Sequence, residues 1–283
     1  MYDGVSLSDG QCTDGFQRAT GELRVSVKRR GHRSVLDGLR QAGCLKARFP
    51  RALAPDWFDM TTINTSGGVV GGDRLQSLIA VGEGTRATIA AQAAERFYRA
   101  LPNSAPSLVR TTLEIGPDAA SEWLPQETIL FDRCALDRRL LIDMACGSWF
   151  LGVEMLVFGR AAMGERVVTA RLRDLIRIRR GGELLLHDAI RLDGAVDQVL
   201  ERTAIAGGAR AVATLVHVAP DAEARLESVR MALAGGVSSG ASAWNGMLIA
   251  RILAPDGASA RRAVVAALSV LRDGRPLPRV WLC

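Results

Sequence analysis

The 283-residue chain predicts a mainly β fold, a β-helix-like or layered β stack closed by two C-terminal α-helices. Three observations lead there. Between about residues 21 and 219, short apolar runs alternate with polar residues at the period of a half-buried strand. Glycines and prolines punctuate those runs at short intervals, as turns between strands require. Beyond Pro220 the apolar spacing changes to that of an amphipathic helix.

Residues 1 to about 18 are polar and glycine-studded, and are expected to form a loose tail ahead of a single domain over residues 19–283. That domain reads as β-rich over 19–219 and helix-containing over 220–283. From Gly21 onward, Leu23, Val25 and Val27 face one way while Glu22, Arg24, Ser26 and Lys28 face the other. A weak internal repeat follows. Val81-Gly-Glu-Gly-Thr-Arg-Ala, Ile115-Gly-Pro-Asp-Ala-Ala-Ser, Met144-Ala-Cys-Gly-Ser-Trp and Ile205-Ala-Gly-Gly-Ala-Arg-Ala each set an apolar residue before a tight turn and small residues after it. Stacked β units joined by similar turns produce this shape, as do unrelated hairpins that share Gly and Asp. Gln92 and Gln126 each fall eleven residues after the first member of their repeat. Arg171–Arg180, Gly181-Gly182 and Glu183–His187 read as two strands across a turn whose glycines supply positive φ. Asp221 is a good N-cap for a helix carrying Leu226, Val229, Met231 and Leu233, which Gly235-Gly236 ends. Trp244–Leu253 reads as a strand. A second helix is expected over Ser259–Arg272, with Val264, Val265, Leu268 and Leu271 inward and Gly274 as its stop.

Composition narrows the function. At 48% hydrophobic and 23% charged the chain is ordinary globular material, long enough to need no metal or disulfide staple. The net charge of +6 suits an anionic partner, but only Lys28 and Lys46 of the 36 basic residues are lysines. The arginines are spread along the chain, and the densest stretch, Arg171–Arg180, alternates with apolar residues as the wet face of a strand does. Nucleic acid is therefore not expected as a partner. Cys12, Cys44, Cys134, Cys146 and Cys283 are odd in number and lack C-x-x-C spacing, which fits reduced thiols in a cytosol. Asp3, Asp9 and Asp14 precede the first cation, Arg18, the wrong order for a signal peptide. The longest apolar run, Met144–Phe158, is broken by Glu154 and is too short to span a bilayer. A cytoplasmic location away from membranes is expected.

The loudest motif is Asn64-Thr-Ser-Gly-Gly-Val-Val-Gly-Gly-Asp73. A Walker A loop needs Gly-Lys-Ser/Thr after its glycines, and here Asp73-Arg74 follows. Asn64, Gly67, Gly68, Gly71 and Gly72 are better read as structural or partner-docking, because paired glycines let backbones pack where a Cβ would clash. His32, His187 and His217 are isolated, and no G-x-S-x-G elbow occurs. A tight transition-metal cage wants clustered His or Cys, which the sequence lacks. Carboxylates meeting from separate turns keep one enzymatic alternative open, a β-helical hydrolase or lyase. Gln126 and Glu127 sit between apolar blocks in Trp123–Phe131, either in a wet turn at Pro125 or with one side chain inward. Glu154 is alone in the most apolar stretch, so it sits on a solvent edge or lines a polar passage.

Six segments occur in one order: Asn64–Asp73, Ala91-Gln-Ala-Ala-Glu-Arg-Phe-Tyr-Arg99, Trp123-Leu-Pro-Gln-Glu-Thr-Ile-Leu-Phe131, Gly159-Arg-Ala-Ala-Met-Gly-Glu165, His187-Asp-Ala-Ile-Arg-Leu-Asp-Gly194 and Pro278-Arg-Val-Trp281. Together they resemble the UreD (UreH) family of urease accessory proteins from about Gly21 to the C-terminus. Ala90-Ala91 depart from the threonines many relatives carry there, and the Cys12 tail has no counterpart. The resemblance implies a non-enzymatic chaperone-like scaffold that binds UreF, through it UreG, and docks on the urease apoprotein so that nickel reaches the active site. It implies nickel in transit through an internal tunnel, with no cofactor tightly bound. Such a tunnel suits spaced, weak oxygen ligands, and by residue type Asp73, Gln92, Gln126, Glu127 and Glu154 are the candidates, with Asp73, Glu127 and Glu154 as metal-transit carboxylates. The C-terminal helices are expected to contact a partner or brace that contact.

Overall fold

A computed structural model describes residues 18–52, 54–160 and 163–282, so the expected tail, Arg18 apart, lies outside the described residues. β1 (Thr20–Arg30) and β2 (Arg33–Gly43) form a hairpin, and β3 (Leu45–Arg48) pairs antiparallel with β4 (Phe58–Asn64). The chain then steps between two sheets. β5 (Arg74–Val81) lies in the first, and β6 (Arg86–Ala91) and the short β7 (Glu95–Phe97) in the second. The step recurs with β8 (Ser107–Ile115), β9 (Ala120–Leu124) and β10 (Thr128–Leu130), and again with β11 (Ala135–Met144) and β12 (Trp149–Phe158). β13 (Ala170–Arg180) and β14 (Glu183–Gly194) finish the first sheet. The remainder is α1 (Val196–Glu201), β15 (Ala211–Val218), α2 (Leu226–Leu233), β16 (Ser238–Trp244), β17 (Met247–Ala254) and α3 (Gly257–Leu271).

Among the described residues the first sheet has seven strands in the order β14-β13-β11-β8-β5-β1-β2, and β1, β5, β8, β11 and β13 run parallel. The second has ten, along β16-β17-β15-β12-β9-β6-β4-β3 with β7 and β10 as a branch. The chain is mainly β, as its alternation predicts. The repeat explains the stepping. Val81, Ile115 and Met144 sit in register on adjacent strands, and the turns after them stack. Gly116 N–H donates to Val81 O at 2.9 Å and Ala145 N–H to Ile115 O at 2.9 Å. The fourth member, at Ile205, lies instead in turns after α1, outside this stack.

Three layers result. Leu23, Ile79, Leu113 and Ile142 of the first sheet meet Ile89, Phe97, Phe150 and Leu156 of the second in one core. The opposite face of the second sheet, with Leu151, Val153, Met155, Leu215 and Leu248, is covered by α2 and α3. β12 is therefore dry on both faces, which is why its sequence is an apolar run, interrupted at Glu154, rather than an alternation. Each fully buried Leu or Met here contributes about 1.5–3 kcal/mol relative to exposure.

At the C-terminal end several expectations shift. α3 begins at Gly257, with the Asp256 carboxylate accepting from Ser259 N–H at 2.7 Å as its N-cap. Asp221 does not cap α2. Its carboxylate instead accepts from Arg225 Nε at 2.7 Å, and a 3-10 turn over Glu223–Arg225 leads into the helix. The expected strand Trp244–Leu253 is the corner of a hairpin: Asn245 and Gly246 both have positive φ, 52° and 69°, so Asn-Gly turns β16 into β17. α1 was not anticipated.

Candidate functional site

The stepping of the chain leaves a cavity of about 160 Å³ between the two sheets, lined in part by Asn64, Gln92, Glu95, Gln126, Arg138 and Glu154. Gln92 and Gln126 follow β6 and β9, and Ala90 pairs with Leu124, so the two glutamines occupy equivalent places in adjacent units. Asn64 ends β4. Its amide donates to Glu95 Oε2 at 3.1 Å, while its carbonyl oxygen accepts from Ser66 N–H at 3.0 Å. Burial pushes the Glu95 carboxyl above the usual carboxylate range, against the opposing hydrogen bond from Asn64.

Glu154 points inward from β12 and is 7% exposed. One oxygen accepts from Trp123 Nε1 at 2.8 Å and the other pairs with Arg138 Nη1 at 2.7 Å. Arg138, from β11, also makes a two-pronged bond to Asp174 of β13, with Nε–Oδ1 and Nη2–Oδ2 both 2.7 Å, and donates to Thr128 Oγ1 at 2.6 Å. Burial raises the Glu154 pKa although Arg138 opposes the shift. For Arg138, burial works against the charge, yet Asp174 and Glu154 hold the proton on and raise its pKa. Beyond Glu154 lies a small pocket that it shares with Asp174, Asp188 and Thr214. Asp188 pairs in turn with Arg251 of β17.

The other predicted residues have different surroundings. Asp73 is 2% exposed and fastens a corner, accepting from Ala19 N–H and Val70 N–H, each at 2.8 Å. Glu127 pairs with Arg261 of α3 at 2.9 Å. Gln126 also touches that helix: Arg261 donates to its oxygen, and its nitrogen donates to Val280 O at 2.7 Å. The Arg261 guanidinium lies 4.7 Å from the Trp281 ring centroid, and Trp281 Nε1 donates to Leu124 O at 3.0 Å. The closing segment is thus tied to one wall of the cavity. The glycine pairs pack closely: a Cβ on Gly68 would lie 2.2 Å from the Tyr98 ring, and one on Gly71 would lie 2.7 Å from Ser104 Oγ. Gly67 and Gly72 have positive φ, 76° and 92°, and Val69 between the pairs bonds to β7 through Arg96 O at 2.8 Å.

Sequence reasoning passed over Glu95, Arg138 and Asp174. Asp174 had a signal. It shares the phase of Leu172, Ile176 and Ile178, the dry side of β13, whose arginines occupy the wet side. Arg138 was masked by its neighbours Asp137 and Arg139, which pair with each other at 2.9 Å on the outer face. Among the described residues no group of three or more His, Cys, Asp or Glu side chains is placed to hold a metal ion. No helix among them is long and apolar enough to cross a membrane. Cys134 is buried, which pushes its thiol up to about 12.

Fold and cavity together define a layered β protein whose interior cavity is walled by apolar side chains with carboxylate, amide and guanidinium groups among them. Residues 19–282 match the family model described as UreD urease accessory protein. Similar proteins include Urease accessory protein UreD 2 of Methylorubrum populi, 45% identical over 94% of this chain and 91% of that protein. The UreD proteins of Rhizobium leguminosarum bv. trifolii and of Methylobacterium sp. strain 4-46 are 44% and 46% identical, each over 94% of this chain and 96% and 95% of their own lengths. The chain belongs to the UreD family of urease accessory proteins, and membership supports a role in urease maturation.

Proposed function

We propose that this chain is a non-catalytic scaffold that, with UreF and UreG on the urease apoprotein in the cytoplasm, assists nickel insertion by letting the ion pass between its two sheets. The observation that carries the reading is the cavity whose lining joins Gln92, Glu95, Gln126 and Glu154. Amide and carboxylate oxygens hold nickel less tightly than clustered imidazoles or thiolates would, so an ion that enters can leave. Asp73 and Glu127 are assigned to the fold, because neither lines the cavity; their oxygens serve a corner and the Arg261 pair. The hydrolase alternative needs carboxylates free to face a substrate, whereas Glu154 and Asp174 share one guanidinium.

The test is co-expression with urease and its accessory proteins at limiting nickel. Glu95→Gln and Glu154→Gln should each lower urease activation several-fold while pull-down of UreF is unchanged. Full activation by the double variant would refute transit along this lining. Release of product from a candidate substrate by the purified chain alone would refute the scaffold role.

A further inference from the structure

We propose that Arg138 is the gate of this interior compartment, closing the cavity from the small pocket beyond Glu154. The inference rests on the transit reading above. Arg138 is 8% exposed, and its guanidinium stands between Glu154, which lines both spaces, and Asp174, which lines only the farther one. Four hydrogen-bonding or ionic contacts fix it from three strands: two to Asp174, one to Glu154 and one to Thr128. A buried arginine is costly to desolvate and holds its place only where such partners converge. Its charge has a second consequence. A cation moving from Glu95 toward Asp188 would meet a fixed positive group beside Glu154, the residue the two spaces have in common, and like charges at contact distance in a buried site repel strongly. Arginine and metal ion also compete for the same carboxylate oxygens. Passage therefore requires the guanidinium to let go of Glu154 and Asp174, and the closed arrangement keeps the two spaces separate until it does.

Removing the guanidinium leaves two carboxylates facing each other with nothing between them. A passing nickel ion should then be retained rather than handed on. The experiment purifies the chain in complex with its accessory partners from nickel-supplemented cells and measures bound nickel and urease activation together. Arg138→Met is expected to carry several-fold more nickel than the parent complex and to activate urease less, with Asp174→Asn on the same chain abolishing the excess nickel. Arg138→Lys keeps a cation there and should carry no excess. A folded, partner-bound Arg138→Met with the parent's nickel content overturns the gate. If Arg138→Met does not fold, Arg138→Gln, whose amide can still donate to Asp174, is judged by the same criterion. Failure of Met, Gln and Lys variants alike to enter the complex also overturns it, by assigning Arg138 to the fold. The gate and the passage fail separately. Normal activation by the Glu95 and Glu154 variants refutes the passage, whereas reduced activation there without nickel retention at Arg138→Met refutes the gate alone.

Discussion

His217 is 2% exposed on β15, its ring 5.3 Å from that of Trp149. Burial lowers its pKa to about 4 from an ordinary 6.5, although Asp221, 3.8 Å away, and the more distant Asp273 favour the charged form; Arg225 adds to the lowering. The folded value lies below the unfolded one. Stability that depends on the neutral ring is therefore complete above about pH 6.5 and is lost as pH falls toward 4. The partner-bound protein should lose stability between pH 7 and pH 4 more steeply than His217→Gln, by on the order of 3 kcal/mol from the size of the shift. Urea unfolding at the two pH values checks this, and equal losses in both proteins would show that His217 contributes nothing to acid sensitivity.

At the scale of elements, one buried cluster joins β9 to the end of α3. Glu122 is fully buried, and its two oxygens accept from Arg272 at 2.9 and 3.0 Å, from Arg275 at 2.7 Å and from Thr88 at 2.7 Å. Arg275 also lies 3.9 Å from the Trp57 ring centroid, so the same cation covers an aromatic from β3–β4. Glu122→Gln leaves Arg272 buried without its countercharge and should cost about 3–5 kcal/mol. A thermal melt within a degree or two of the parent would mean that water reaches the site. The elements differ in how plainly the sequence announces them. Alternation marks β1 and β13 because each has one wet face, and the paired glycines mark the β13–β14 turn. The β16–β17 hairpin was equally readable from Asn245-Gly246, but Trp244 and the apolar run after it drew the strand across the corner. Glu154 stood out because a lone acid in β12 needs a partner, whereas the partner, Arg138, sits sixteen residues earlier amid charges that look wet. Burial of that kind is set by the pairing of β11 with β8 and β13, which no local pattern encodes.

For the molecule as a whole, the helical layer decides whether the second sheet is a surface or a core. Ala260, Val264, Ala267, Leu268 and Leu271 of α3 are buried against that sheet. Removing residues after Pro255 takes away α3, with a consequence for the fold that precedes any interface. The truncation bares Leu151, Val153, Met155, Leu215 and Leu248 together. A contiguous apolar patch of that kind drives aggregation. The truncated chain should therefore appear in the insoluble fraction even when UreF is co-expressed. A soluble truncated chain that still pulls down UreF would show that α3 neither completes the core nor contributes to binding.

The position of α3 near the end of the chain also sets an order of events on the ribosome. Strands β4, β6, β9 and β12 can assemble one after another as they emerge, each parallel to its predecessor. The lid for the greasy side of β9 and β12, where Leu124, Leu151, Val153 and Met155 lie, is synthesised last, more than a hundred residues after β9. Throughout that interval the nascent sheet presents an uncovered face, the circumstance in which half-made proteins stick to one another. Trigger-type holdases that shield such a face should matter more to the yield of this protein than any factor acting on the finished chain.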